Sequence, residues 1–250
     1  MENAKYTDMY LEVIGDTLRA IREQEMDSIL KAATLMAEEI VQDKLIHVYG
    51  TGGHSIMGLE EMFMRSGGLV PINPLLDQGM SLVFGVKMIE RVPGYAQTMI
   101  EYYEVKDGDL LIIISIPGIN AVTIDSSLEA KRRGATVVGI ASKEFCDQVP
   151  HGHAARHPSN KSLTDVADIF IDTHVPFGDV SVEIPGCKAK LAPLSTIANA
   201  FITNALAIET ARLLTLKGIE PPIWVSQNIP GGDEQNEVYY QAYKHRVKGL

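Results

Sequence analysis

The fold class is indicated first by one stretch of the sequence, Gly50-Thr51-Gly52-Gly53-His54-Ser55. An apolar run at 45–49 precedes it and is typical of a buried strand, and apolar residues at helical spacing follow from Ile56. Glycines therefore lie where a strand passes into a helix, and glycine permits both a tight turn and the close approach of a ligand. Because a helix N-terminus offers unpaired N–H groups and partial positive charge, the stretch predicts a phosphate site. The alternative is that the glycines only end a strand.

A second stretch repeats this arrangement, Ser115-Ile116-Pro117-Gly118-Ile119-Asn120. A longer apolar run at 110–114 precedes it, and a helical pattern follows from Val122. Two strand-to-helix corners that both carry glycine and hydroxyl or amide side chains indicate one ligand held between them, as at the switch point of an open parallel sheet. Plain turns at the ends of two strands are the alternative.

The order of the elements predicts an α/β fold with a parallel sheet. A strand at 110–115, a helix at 122–133, a helix stop at Gly134 and a strand at 135–141 form a strand–helix–strand unit with a right-handed crossover. Further helices are predicted at 6–41 with a break at 25–27, and at 55–65, 81–90, 95–103 and 194–217. Further strands are predicted at 69–73, which is an edge strand because of Pro71, and at 166–172 and 180–184, with irregular loops at 145–164 and 174–193.

The composition is ordinary for a soluble globular protein of 250 residues, with 46% hydrophobic and 22% charged residues. A net charge of −10 argues against nucleic acid as a partner, because the neutralisation of phosphates needs a basic face. A small anion is still compatible, since helix N-termini supply local positive potential. Cys146 and Cys187 follow no metal or redox spacing, which predicts free thiols in a reducing cytoplasm. Residues 1–5 show neither the basic start nor the apolar core expected of a signal peptide.

Two apolar helical regions raise the question of an interface. The stripes of residues 6–41 are expected to pack on the sheet or, alternatively, to form the interface of a homodimer or larger homo-oligomer. The stretch 195–216 is predicted to be a buried or interface helix and not a membrane span, because it contains Asn199, Asn204, Glu209 and Arg212. If it is buried, Glu209 needs a partner for its charge.

Together these features resemble the SIS (sugar isomerase) domain family. The resemblance covers about residues 40–217 and rests on both corners, on the strand Gly134–Ile140 and on the helix from Ser195. A bacterial branch of SIS proteins is similar in a further loop and in the tail, which here read His157-Pro158-Ser159-Asn160-Lys161 and Gly231-Gly232-Asp233-Glu234.

The resemblance implies a three-layer α/β/α, flavodoxin-like fold, an oligomer, and a phosphorylated sugar as the ligand. On this basis we expect an N-terminal helical segment at 1–42, an SIS domain at 43–218, and a C-terminal tail at 219–250 that packs on the domain or on a neighbouring subunit. Ser55, Ser115 and Asn120 match positions that hold the phosphate in relatives, and Gly118 matches the turn of the second loop. No cofactor is expected.

Two residues depart from the family pattern. Pro117 replaces a serine of the second loop, so a hydroxyl and an N–H donor are lost. Arg65 stands where phosphoheptose isomerases and N-acetylmuramic acid 6-phosphate etherases carry a catalytic glutamate. Glu61, one helical turn before Arg65, is the candidate to supply a carboxylate instead, and the alternative is that Glu61 only forms an i,i+4 ion pair with Arg65.

A polar loop holds three histidines, His151, His153 and His157. A surface loop is favoured over a metal site, because no fourth ligand has fitting spacing. His157 with Ser159 and Lys161 is a candidate for ligand contact, since lysine adds charge for a phosphate. His54 is a candidate for acid–base chemistry near neutral pH, or else it caps the helix.

The predicted function is the binding of a phosphorylated sugar, with isomerisation of the aldose–ketose type as a candidate activity. Isomerisation needs a base and an acid, for which Glu61 and His157 are the candidates. The ligand is expected to contact Gly52, Gly53, His54, Ser55, Ser115, Gly118, Asn120, Ser159 and Lys161. A non-catalytic phosphosugar-binding or sensing module is an alternative, as is a sugar-phosphate lyase or etherase. A DNA-binding regulator is not expected, because no helix-turn-helix segment is visible.

Overall fold

The computed structural model describes residues 4–82 and 85–250. The longer helices are α1 (Lys5–Gln24), α2 (Met26–Val41), α3 (Ser55–Met62), α5 (Tyr95–Tyr102), α6 (Ala121–Arg132), α9 (Ser195–Leu216) and α10 (Gly232–Tyr243). Short helices are α4 (Val86–Ile89), α7 (Lys143–Gln148) and α8 (Leu163–Val166). The strands are β1 (Ile46–Gly50), β2 (Ile72–Pro74), β3 (Leu110–Ile114), β4 (Thr136–Ala141), β5 (Ile169–Asp172), β6 (Val180–Val182) and β7 (Leu191–Pro193).

Five strands form one parallel sheet in the order β2-β1-β3-β4-β5, and β6 and β7 form a separate antiparallel pair. Alternate residues of a strand face opposite sides of a sheet, and both sides are covered here. Ile112 and Ile114 face a core shared with α2, α3 and α9, whereas Leu111 and Ile113 face a core shared with α5 and α6. The predicted three-layer α/β/α fold, with β2 at an edge, is confirmed.

The helix α9 is apolar on several sides because it packs between α2 and α3 and over the sheet. Ile202 and Leu206 lie in that core, and Asn199 packs beside Gly58 of α3. Glu209 is only partly buried, and Arg212 one turn later lies 2.6 Å from its carboxylate. No helix within residues 4–82 or 85–250 has the length and apolar character needed to span a membrane.

The N-terminal region is two helices that meet at Glu25, as the spacing predicted. The second helix contributes Ile29, Ala32 and Met36 to the core beside α9 and the sheet. The first helix is more exposed, and 68% of the surface of Leu11 is accessible.

Several predicted elements differ from the structure. The helix α3 ends at Met62 and not near 65, because Phe63 is extended and Met64 has a φ of 49°. Helical residues lie at both ends of the predicted loop 145–164, where Ser142 caps α7 and Ser162 forms a capping box with Asp165 before α8. The predicted helix 81–90 includes residues 83 and 84, which lie outside the described part, and α4 occupies only its second half.

The C-terminal region contains a helix, α10, and an isolated antiparallel bridge, neither of which was predicted from the sequence. Leu69 and Ile223 form an antiparallel bridge, and Trp224 N–H donates to Gly68 O at 3.0 Å. The Asn236 amide of α10 bonds both the N–H and the C=O of Val225, at 3.0 and 2.9 Å. The region after α9 is thereby attached to the turn that follows α3.

Gly50 lies where the sheet and α3 meet, and it gives the first prediction. A Cβ there would lie 2.6 Å from Ile56 Cα, so Gly50→Ala must push the start of α3 away from the sheet. We expect a loss of about 1–3 kcal/mol in the free energy of unfolding, measured by urea denaturation. Gly15→Ala, at a half-buried position of α1 where an added Cβ meets only the flexible end of the Arg19 side chain, is the control, and it should stabilise by about 0.5–1 kcal/mol. Equal effects of the two substitutions would contradict this account of Gly50.

Candidate functional site

The two glycine corners lie side by side because β1 and β3 are neighbours in the sheet. Gly50 is the register partner of Ile114, and the ladder continues into the corners, where Thr51 N–H donates to Ile114 O at 2.9 Å. The Ile116 N–H of the second corner points at Ser55 Oγ of the first, at 3.4 Å. The structure therefore places both predicted corners at the carboxyl edge of the sheet, where the strand order reverses.

The first corner presents several donors. Within the described residues, the backbone N–H groups of Gly52, Gly53, His54 and Ser55 donate to no other group. They lie at the start of α3, so their partial charges add to those of the helix N-terminus. The Ser55 side chain is buried beside them, whereas His54 is exposed and its side chain makes no capping bond with a described residue.

Hydroxyl groups connect the second corner to the first corner and to α6. Thr51 Oγ1 lies 2.8 Å from Thr123 Oγ1, Thr123 donates to Ser115 Oγ at 3.0 Å, and Ser115 Oγ accepts the Gly118 N–H at 3.2 Å. Ser115 is fully buried. Its Oγ accepts two hydrogen bonds that shape the corner, while neither bond uses its O–H as a donor, so contact of this hydroxyl with a ligand stays a prediction.

Gly118 makes the sharp turn of the second corner. Its φ is +60°, and a Cβ would lie 2.7 Å from Cys146 Sγ. Burial raises the pKa of the Cys146 thiol to about 11, so this thiol is a packing group at neutral pH. Glycine is required here both by the backbone conformation and by the packing.

The histidine-containing loop lies against the second corner. His157 N–H donates to Ile119 O at 2.7 Å, and Asn120 Nδ2 donates to Ala155 O at 2.9 Å. Asn120 is 3% exposed, and its Oδ1 has no hydrogen-bond partner among the described residues. The loop thus places His157 directly beside the second corner, and Ser159 and the exposed Lys161 follow in the same loop.

His157 is held between two side chains. Its Nε2 lies 3.0 Å from Asp125 Oδ1, and its Nδ1 lies 2.7 Å from Ser159 Oγ. His151 and His153 are exposed. No group of three or more histidine, cysteine, aspartate or glutamate residues that could hold a metal ion occurs in the part of the chain that the structure describes.

Glu61 lies apart from the corners. It is six residues along α3 from Ser55, which is about 9 Å along the helix axis. Its carboxylate accepts from Arg65 Nε at 3.2 Å and from Asn204 Nδ2 of α9 at 3.1 Å. The Glu61 carboxylate therefore lies on the side of α3 that faces α9. The i,i+4 ion pair with Arg65, which was the alternative interpretation of Glu61, is present.

A different carboxylate, Glu90, lies beside the first corner. A Cβ on Gly52 would be 3.4 Å from Ser55 Oγ and 3.7 Å from Glu90 Oε2, so both side chains flank the same glycine. Burial raises the pKa of Glu90, while Arg91, 3.9 Å away, partly opposes that shift. A carboxyl group with a raised pKa beside a row of N–H groups that donate no hydrogen bond to a described residue is a candidate acid or base.

Sequence reasoning missed Glu90, Asp125 and Thr123. Glu90 lies in a stretch without clear periodicity, and Asp125 and Thr123 occupy ordinary helical positions of α6. The signal that could have identified Thr123 and Asp125 was the predicted helix start after Asn120. Residues near the start of a helix lie close to any group that the helix N-terminus faces.

Comparison with known proteins gives the relationships of the chain. Residues 9–142 match the sequence model of the SIS domain. A UPF0309 protein of Geobacillus kaustophilus is 35% identical over 246 residues, which cover 97% of this chain and 96% of that protein. A UPF0309 protein of Streptomyces coelicolor is 31% identical over 255 residues, which cover 99% of this chain and 98% of that protein.

Two solved structures share the fold. A phosphoheptose isomerase from Francisella tularensis has a TM-score of 0.55 at 14% identity and covers 85% of this chain and all (100%) of that chain. A phosphoheptose isomerase from Neisseria gonorrhoeae has a TM-score of 0.54 at 14% identity and covers 84% of this chain and 100% of that chain.

The raised pKa of Glu90 gives the second prediction. The folded protein favours the protonated acid, so the stability from this group is present below its ordinary pKa of 4.5 and is lost as the pH rises through the raised value. Glu90→Gln cannot ionise, and we expect it to melt at a higher temperature than wild type at pH 7. That difference should shrink as the pH falls towards 4.5. Glu60→Gln, at an exposed position of α3, is the control, and calorimetry in which Glu90→Gln shows no pH-dependent gain would contradict the prediction.

Proposed function

The chain belongs to the SIS domain family, and on that premise we propose that it binds a phosphorylated sugar between residues 52–55 and the second corner. The observation that carries the proposal is the row of N–H groups at the start of α3, beside the Ser55 hydroxyl, that donate no hydrogen bond to any described residue. Such a row binds the oxygens of a phosphate without needing a positively charged protein. The exposed Lys161, in the loop that packs on the second corner, is the candidate cation for the same ligand.

Asn120 supports the sugar part of the ligand. Its buried Oδ1 is an acceptor without a partner in the described residues, and a buried acceptor of this kind costs free energy until a donor reaches it. A sugar hydroxyl is such a donor. Ser55 and Glu90 would then lie on one side of the ligand and Asn120 and the His157 loop on the other.

We further propose aldose–ketose isomerisation as the activity, with Glu90 as the base. Isomerisation moves a proton between adjacent carbons, so a carboxylate must take the proton from one carbon and return it to the next. Glu90 flanks the proposed phosphate site, and its raised pKa brings it nearer to neutral pH than an exposed glutamate. Glu61 stays the alternative base, although Arg65 and Asn204 occupy one of its oxygens. A non-catalytic sensing module is favoured by Arg65, which replaces the catalytic glutamate of related enzymes.

Ligand binding gives the third prediction. A sugar phosphate at a hundredfold excess over its Kd should stabilise the protein by about 2.7 kcal/mol, or roughly 5–10 °C in melting temperature, and the free sugar should not. Ser55→Ala should weaken binding by about ten- to a hundredfold in Kd, because it removes a hydrogen bond to a charged group. Ser66→Ala, at an exposed turn, is the control for calorimetry. No shift with any of a panel of hexose, heptose and amino-sugar phosphates would count against the site.

Turnover gives the fourth prediction. Glu90→Gln should lower kcat by about 10²–10⁴-fold in an isomerisation assay followed by exchange of the transferred proton with solvent. Glu61→Gln should retain turnover if its role is the pair with Arg65, which is worth about 1 kcal/mol or less. The opposite ranking of the two variants would move the base to Glu61. Saturable binding by wild type without any proton exchange would favour the sensing module.

A further inference from the structure

We propose that Asp125 is a positioning residue that aligns the two candidate catalytic groups, the Ser159–His157 pair and the turn that carries Glu90. The effect of Asp125 on catalysis rests on the proposed function, whereas its role in holding His157 and Gly94 concerns the protein without ligand. Asp125 lies on α6, and its side chain is 13% exposed. No sequence motif singled it out.

The carboxylate of Asp125 accepts from two separate segments. Its Oδ1 lies 3.0 Å from His157 Nε2, and its Oδ2 accepts the Gly94 N–H at 2.7 Å. The two donors lie 63 residues apart in sequence (157 − 94), so this one side chain joins the histidine loop to the segment before α5. Hydrogen bonds to an ionised acceptor are the stronger kind, which suits a group that fixes two loops.

The donors around His157 determine its tautomer. The Ser159 backbone N–H donates to Nδ1 at 3.1 Å, and a backbone N–H can only donate, so Nδ1 is the acceptor nitrogen. The proton of the neutral ring is therefore on Nε2, where Asp125 accepts it. Asp125 thus stabilises the tautomer whose Nδ1 carries the lone pair, and this lone pair faces the N–H and the hydroxyl of Ser159.

This arrangement means that His157 reaches a ligand through Ser159. Nε2 is directed at Asp125, and Ser159 Oγ, on an exposed residue, lies 2.7 Å from Nδ1. In the step that we assign, a ligand O–H bond breaks and its proton passes to Ser159 Oγ while the hydroxyl proton of Ser159 passes to Nδ1. The ligand is left as an oxyanion, Ser159 is restored, and the imidazolium pairs with the carboxylate of Asp125. Reversal of the two transfers returns the proton.

The other oxygen of Asp125 holds the Glu90 turn. Residues 90–94 are tied to α6 at both ends, since Val122 N–H donates to Glu90 O at 3.1 Å and Gly94 N–H donates to Asp125. Gly94 has a φ of +84°, the left-handed conformation in which its N–H points at α6. Loss of the Gly94 bond would free one end of the turn from which the Glu90 side chain reaches Gly52.

Asparagine cannot replace Asp125 at both contacts. Its amide has one acceptor oxygen and one donor NH₂, whereas Gly94 and His157 Nε2–H both need an acceptor. If the amide oxygen faces Gly94, the NH₂ faces Nε2 and favours the tautomer protonated on Nδ1, which conflicts with the Ser159 N–H. If it faces His157, the Gly94 N–H loses its partner.

The first experiment uses the free protein, so it does not depend on any ligand. In wild type, two-bond ¹H–¹⁵N correlation NMR should show neutral His157 protonated on Nε2, and hydrogen exchange should show a protected Gly94 amide. In Asp125→Asn, either the tautomer should change or the Gly94 amide should exchange about ten- to a hundredfold faster. Asp147→Asn, which removes an exposed carboxylate paired with Lys143, should change neither. A wild-type ring protonated on Nδ1, or an Asp125→Asn variant that keeps both properties, overturns the proposal.

The second experiment measures turnover of a sugar phosphate that binds. Asp125→Asn should lower kcat by about a hundredfold or more with little change in KM, and Ser159→Ala should lower kcat without altering Gly94 protection. A normal kcat in Asp125→Asn would overturn the catalytic part. If wild type binds the ligand without turnover, the isomerase proposal fails, and the NMR and exchange results on the free protein still decide whether Asp125 positions the two segments.

Discussion

The pairing of β1 with β3 is the constraint on which the rest of the site depends. These strands are not consecutive, because β2 lies on the outer side of β1, and the chain must therefore cross back to place β3 beside β1. The helices α3 and α6 leave the two neighbouring strands from the same edge, so their N-termini lie side by side at the position where open parallel sheets bind ligands. Gly50 permits α3 to begin directly on the strand end, so even the position of Ser55 follows from this pairing.

The strands and corners were predictable because their signals are local. A buried parallel strand is a short continuous apolar run, and the pattern at 110–114 needed no tertiary information. The break at Glu25 and the edge position of β2 were likewise readable from spacing and from proline. The short helices α7 and α8 were not predicted, although Ser142 and Ser162 are typical helix-capping residues. The polar composition of residues 145–164 favoured a loop instead.

The candidate site was predictable only in part, because its contacts join residues far apart in sequence. Spacing placed Ser55 and Asn120 at helix starts, but it could not show that the Ser115 hydroxyl is used inside its own loop. Glu61 was favoured because it lies one helical turn before Arg65, which stands at the position of the catalytic glutamate of the family, and this is a local argument. Glu90 approaches Gly52 through an irregular segment, and no periodicity relates the two positions.

An anion beside Glu90 has a consequence for the proton on that carboxyl. Burial already opposes its ionisation, and a bound phosphate would add a like charge that opposes it further. Ligand binding and proton uptake by Glu90 are then linked, so that each favours the other by the same free energy. The proposed anion site of a protein with a net charge of −10 therefore has to offset the repulsion between the phosphate and this carboxylate. The N–H groups of residues 52–55 supply the local positive potential that opposes this repulsion, and they must keep Glu90 ionised in part of the bound population if it is to act as the proposed base.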